Sequence, residues 1–281
     1  MDYLQRSYQE KPIIPDFFNL VGDTLSVFGR KFSKIFLILI FQSLIYYYLN
    51  FLISALKSFD IETFPYLHPF LDSHPFFTIS TFLLSVIGYI WLNIMFIYAI
   101  NSKDENISFY ELLSDSKNKI FSYIWVWIIA SLVVLFGFIL FIIPGFIFMV
   151  FFSFMSFVVV LENVRGVDVL IRSREYFRDL FSKIFFRIFL ISLLLNVLWF
   201  TYVFWIVKID FVGRAIFSNF ISTIIGAIFS IYIFLIYGSV REMKKDMYLN
   251  STQGQRNFYI SFATFGMLLV AALIYLRFKY N

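Results

Sequence analysis

The sequence predicts an all-α, polytopic transmembrane bundle. It consists of three repeats of an interfacial amphipathic helix plus a two-span hairpin, with a seventh span added at the C-terminus. Three observations carry that prediction. Hydrophobic residues make up 60% of the 281 positions and charged ones 15%, against about a quarter charged in soluble domains, and mean hydropathy is +0.82. Seven apolar runs are long enough to cross a hydrocarbon core of about 30 Å. The tripeptide Lys-Ile-Phe stands at the threshold of three of them, at Lys34, Lys119 and Lys183.

In chain order the runs are 35–56, 76–100, 120–143, 146–161, 184–207, 215–240 and 258–276. The N-terminal "MDYLQRSYQEKPIIPDFF" is too polar for a cleavable signal peptide, so the first run is expected to stay in the protein. Runs three and four are parted only by Pro144-Gly145. Together they are twice the length of one crossing, so a tight hairpin at Pro144-Gly145 is expected there.

Each Lys-Ile-Phe follows an amphipathic stretch. From 167 to 184, Val167, Leu170, Ile171, Phe177, Leu180, Phe181 and Ile184 share one helical face, and Asp168 and Arg172 have the i,i+4 spacing of an ion pair. From 13 to 32, Ile13, Phe17, Leu20, Val21, Leu25, Phe28 and Phe32 repeat the pattern. The middle copy is shorter and opens on Ser108 and Glu111, which have capping-box spacing. The repeats so defined are about 13–100, 108–161 and 166–240 within a six-helix domain 1–240. A cytoplasmic linker 241–257 and the added helix 258–281 follow. At each threshold the lysine would snorkel to the headgroups while Phe enters the acyl region.

Eighteen of the 23 lysines and arginines fall on the segments that face the cytoplasm if the N-terminus is inside. That bias predicts a cytoplasmic N-terminus. In this setting the net charge of +5 reads as topology and as affinity for anionic headgroups, not for nucleic acid. Lys34, Lys119, Lys183, Arg165, Arg172, Arg174 and Arg178 are the expected headgroup contacts.

The stretch "IPGFIFMVFFSFMSFVVVLENVRGVDVLIRSREYF" (143–177) has a Pro-Gly turn, an apolar span with small residues, an acid at its end, then Gly and an Arg-Ser helix. It resembles the signature of the bacterial YciC-like proteins and of the membrane domain attached to some glycerophosphodiester phosphodiesterases, with Pro144, Gly145, Glu162, Gly166, Arg172 and Ser173 matching. The resemblance implies a six-helix membrane domain over about 13–240. It implies no phosphodiesterase activity, and it does not supply the seventh span.

Candidate chemistry is sparse. Zero cysteines exclude disulfides, thiolate metal sites and cysteine nucleophiles. The spans hold no Asp, Glu or Lys at depth, which argues against proton-coupled transport; Arg187 lies one turn inside an inner end. His68, Asp72 and His74 could approach a metal, but each histidine precedes a proline in a connector and no metal is expected. The densest charged cluster is Glu162, Arg165, Arg172, Arg174 and Arg178, with Glu162 expected to pair with Arg165. Phosphate loops, zinc-protease motifs and nucleophile elbows are lacking, so neither an enzyme nor a cofactor is expected.

In the sixth span Ser218, Ser222, Gly226 and Ser230 recur every four residues, a small-residue stripe suited to close helix packing in the bundle or at a subunit interface. Asn50, Asn93, Asn196 and Asn219 are expected to face the interior. The sum favours a non-enzymatic bacterial inner-membrane protein, an accessory or structural subunit of a membrane complex, partnered by lipid and by another membrane protein. The alternative is binding or translocation of lipid or another amphiphile.

Overall fold

The computed structural model describes residues 14–57, 75–102, 108–206, 213–245 and 251–280. Among these residues the secondary structure is helical throughout, with no strand. The helices are α1 (Phe17–Lys57), α2 (Pro75–Asn101), α3 (Phe109–Lys117), α4 (Ile120–Leu140), α5 (Ile142–Phe151), α6 (Met155–Leu161), α7 (Val167–Phe177), α8 (Phe181–Ile206), α9 (Arg214–Met243) and α10 (Gln253–Tyr280). A 3₁₀ turn, Phe152–Phe154, joins α5 to α6.

Seven stretches among the described residues are long and apolar enough to cross a membrane: Phe17–Asn50, Phe76–Asn101, Ile120–Leu140, Ile142–Leu161, Phe181–Ile206, Arg214–Met243 and Gln253–Leu276. Large apolar side chains face outward along them, Leu84 at 70% and Phe200 at 69% exposure among many. Water would penalise such a surface and hydrocarbon does not. The chain is a multi-pass helical membrane protein.

Two expectations are corrected. The first amphipathic stretch does not end at Lys34: α1 runs unbroken for 41 residues, about 61 Å. Its weak point, Gly29, costs only about 1 kcal/mol in a helix and cannot stop one. The other two thresholds are broken, by a turn at Asn118–Lys119 and by Asp179 in the left-handed region at φ 66°. Second, the hairpin turns at Phe141, which is extended (φ −160°, ψ 147°), and Pro144 lies in the first turn of α5. Proline is tolerated only in that first turn, so the helix must begin just before it. Helical structure extends into the expected linker 241–257 from both sides, α9 reaching Met243 and α10 starting at Gln253.

The chain divides into two compact units. Unit 1 comprises Met1–Thr24, Phe121–Ile191 and Ile231–Asn281. In it α4 and α5 close on each other through two glycines. A Cβ on Gly145 would stand 2.4 Å from the Phe138 ring, and one on Gly137 would stand 3.2 Å from the Gly145 Cα. The core around α7 is aromatic, with Phe154 against Phe177 at 4.7 Å and Phe157 stacked on Tyr237 at 5.4 Å. The Ser173 hydroxyl donates to the Phe151 carbonyl at 2.5 Å, beside the 3₁₀ turn. The Arg187 guanidinium donates to the carbonyls of Pro15, Ile14 and Lys183.

Unit 2 comprises Leu25–Ile120 and Ser192–Ser230. Ile35, Ile38, Leu39, Ile94 and Met95 are fully buried there. The indole of Trp91 donates to Ser116 Oγ at 2.6 Å, and Lys31 Nζ donates to the Ser102 carbonyl just past the end of α2. The capping box at the start of α3 is present, Ser108 and Glu111 each accepting from the other's backbone N–H.

Candidate functional site

Two polar constellations stand out, one in each unit. In unit 1, α6 ends at Leu161 and the chain turns through Asn163 (φ 58°) and Gly166 (φ 61°, ψ −142°). The Gly166 conformation is closed to side-chain-bearing residues, and it lets α7 double back beside α6. Val169, Leu170, Tyr176 and Phe177 are then buried, and Arg172 reaches Glu162.

The Glu162 carboxylate, 8% exposed, is a hub. Oε1 accepts the hydroxyls of Tyr176 at 2.6 Å and Tyr237 at 2.7 Å; Oε2 accepts Arg172 Nε at 3.1 Å. Arg241 adds an ion pair at 3.9 Å. The Arg172 guanidinium also lies 4.9 Å from the centroid of the Tyr176 ring. Burial, and after it the Glu162 bond and charge, hold the Tyr176 hydroxyl protonated well above its ordinary range. With both oxygens committed, the carboxylate ties α7 and α9 to the end of α6; it is built for holding.

In unit 2 a half-open cavity of about 280 Å³ lies among α1, α2 and α9. Gln42 and Asn93 supply amides, and Ser222, Gly226 and Ser230 form the α9 wall. Tyr46 and Tyr89, both partly exposed, line it as well. Gln42 is only 6% exposed, yet its amide makes no hydrogen bond among the described residues. Gly226 faces open space, and a Cβ there would meet nothing within 4 Å.

No family model, no curated protein and no solved structure matches this chain. The two constellations therefore stand on their own geometry.

The predicted site residues scatter. Glu162 pairs with Arg172 and Arg241 rather than with Arg165, because the Gly166 turn brings α7 alongside while Arg165 points outward, exposed. Asp168 pairs not with Arg172 but with Arg256 of α10, through two 2.9 Å bonds. Arg174, Arg178 and Lys183 are exposed, Arg178 beside Glu175 at 3.5 Å; Lys34 and Lys119 are half-buried. Lys244 donates to the Glu175 and Arg178 carbonyls, closing the C-terminus of α7.

In the small-residue stripe, Ser222, Gly226 and Ser230 border the cavity, while Ser218 meets the Tyr202 hydroxyl at 3.1 Å. Of the four asparagines only Asn93 lines the cavity. Asn50 and Asn196 are exposed, and Asn196 and Asn219 satisfy their amides on carbonyls one turn back in their own helices. His68, Asp72 and His74 lie outside the described residues.

Sequence reasoning did not find Tyr176, Tyr237, Arg241 or Gln42. The one usable signal was Gln42 itself, an amide inside the apolar "FLILIFQSLI".

Proposed function

We propose that this protein is a non-enzymatic, multi-pass protein of the bacterial inner membrane that works by non-covalent binding of a membrane amphiphile. The observation that carries the reading is the half-open cavity of unit 2, where an unpartnered amide and two serines meet among membrane-spanning helices. Polar groups in hydrocarbon are costly unless something bonds them. A ligand entering from the bilayer supplies those bonds. The Glu162 hub fits the same reading, since it spends the carboxylate and Arg172 on holding helices.

The test is extraction in a gentle detergent or in nanodiscs, followed by native mass spectrometry. A stoichiometric amphiphile that survives detergent exchange is the expected result; a bare protein after extraction directly into nanodiscs defeats the proposal.

A second reading, as an accessory or structural subunit of a membrane complex, is supported by one feature of α8. Phe181, Phe185 and Phe189 stack in succession at 5.8 and 6.1 Å, with Phe185 and Phe189 exposed. A pre-stacked aromatic ladder suits packing against a partner helix. Recovery of a stoichiometric membrane partner, lost in Phe185→Ala with Phe189→Ala, supports it; a monomer without partner after mild solubilisation counts against it.

A further inference from the structure

We infer that the unit 2 cavity selects an uncharged lipid, one whose head carries a hydroxyl, ester or quinone-type carbonyl oxygen and whose body is apolar. The inference rests on the amphiphile reading and names the chemistry of the ligand.

The first argument is the unspent hydrogen-bonding capacity. Buried polar side chains are nearly always bonded, and an unbonded one costs about 1–3 kcal/mol. Gln42 is one exception, 6% exposed on the cavity wall with its amide free of protein partners among the described residues; the Ser153 and Tyr259 hydroxyls are unpartnered too, but they do not line the cavity. Hydroxyls in these helices normally return to the carbonyl one turn back, as Thr223 does to Asn219 and Ser85 to Thr81, both at 2.8 Å. Ser222 and Ser230 make no such bond and line the cavity instead. Asn93 spends its NH₂ on the Tyr89 carbonyl at 2.8 Å, which leaves its oxygen as an acceptor.

The second argument is charge and depth. Among the described residues the lining holds no Asp, Glu, Lys, Arg or His. Asn93 lies eight residues inside the Asn101 end of α2, and Ser222 eight residues inside the Arg214 end of α9. Each is about 12 Å of helix from its terminus, well within a hydrocarbon core of about 30 Å. An ion at that depth costs at least about 2.5 kcal/mol, and no counter-charge among the described residues lines the site to offset it. A neutral oxygen-bearing head incurs no such cost and satisfies groups that can both donate and accept.

The third argument is size. The volume, about 280 Å³, is at the small end for a ligand site, which commonly spans about 300–1,000 Å³. It suits a head with its first few carbons, the remaining chain leaving past Tyr46 and Tyr89. Ser222 and Ser230 are eight residues apart, about 12 Å along α9, with the bare backbone of Gly226 between them.

The test uses the full chain in nanodiscs with three photoreactive, clickable probes sharing one tail: a diacylglycerol, a quinone and a phosphatidylglycerol. Labelled peptides are mapped by mass spectrometry. At least one neutral probe is expected to label the Gln42–Tyr46 and Ser222–Ser230 segments, and whichever labels more identifies the head. That labelling should fall about tenfold in Gln42→Leu and in Ser222→Ala with Ser230→Ala, the loss of one good hydrogen bond. The serine pair serves if Gln42→Leu does not fold. Phosphatidylglycerol labelling the cavity as strongly as the neutral probes overturns the neutral head and leaves the amphiphile reading standing. Absence of cavity labelling by every probe, in folded protein, overturns both. Undiminished labelling in the folded variants overturns the assignment to these side chains.

Discussion

Tyr237 and Glu162 are 75 residues apart in the chain and joined by a hydrogen bond of 2.7 Å. Tyr176 donates to the same carboxylate oxygen, so two helices depend on one acid. Removing one donor and removing the acceptor should therefore differ. Tyr237→Phe loses a hydrogen bond to a charged group, about 1.5–3 kcal/mol. Glu162→Ala leaves Arg172 charged, 14% exposed and without its carboxylate, and should cost about 3–5 kcal/mol. Thermal unfolding in one detergent should rank wild type above Tyr237→Phe above Glu162→Ala.

The same hub sets an alkaline limit. Tyr176 is held protonated by burial and then by Glu162, so its native pKa lies above the ordinary 10.0. Above pH 10 the unfolded chain releases a proton that the native state keeps. The contribution is complete below the ordinary value and is lost as pH rises from there through the native one. Stability should fall with pH above about 10, and more shallowly in Tyr176→Phe, as read by denaturation at a series of alkaline pH values.

At the α4–α5 hairpin the turn is made at Phe141, and Gly145 serves packing against Phe138. Pro144→Ala should change stability by less than about 0.5 kcal/mol, since no hydrogen bond in the first helical turn needs that nitrogen. Gly145→Leu should cost about 1–3 kcal/mol or more by overpacking. A Pro144→Ala loss as large as that of Gly145→Leu would return the turn to the Pro-Gly pair.

These two residues show what the sequence makes legible. Length and apolarity revealed the seven spans, because a bilayer imposes both on any crossing. The Ser108–Glu111 box was readable because its partners are three residues apart. Pro144-Gly145 marked the right hairpin, but one dipeptide cannot distinguish turning from packing. The α1 helix overran Lys34 because amphipathic and apolar stretches share one helical period when nothing breaks them. The Glu162 partners were hidden for another reason: Tyr237 and Arg241 sit near the end of a distant span, where nothing marks them as donors. The stripe Ser222, Gly226, Ser230 was visible, but small residues suit a tight helix contact and a cavity wall equally. Only Gln42, lining the same cavity, distinguishes the two.

The seventh span is bound by close approach to α4. A Cβ on Gly266 would stand 2.5 Å from the Leu132 carbonyl oxygen, a backbone atom that cannot swing aside. Phe262 and Phe265 flank the contact and meet the Phe136 ring at 5.0 and 5.6 Å. Even Gly266→Ala should lower stability, by about 1–3 kcal/mol. Limited proteolysis should then release α10 at the 244–252 connection faster than in the wild type.

The central claim, that the unit 2 cavity is a place for a ligand rather than a packing void, is tested most directly by filling it. Gly226→Leu adds a side chain where a Cβ meets no neighbour, and it replaces a poor helix former. The measurement is moles of amphiphile retained per mole of folded protein, with unfolding temperature recorded on the same samples. The account predicts an unfolding temperature no lower than wild type together with loss of the retained amphiphile. Full retention in a folded Gly226→Leu protein would contradict it.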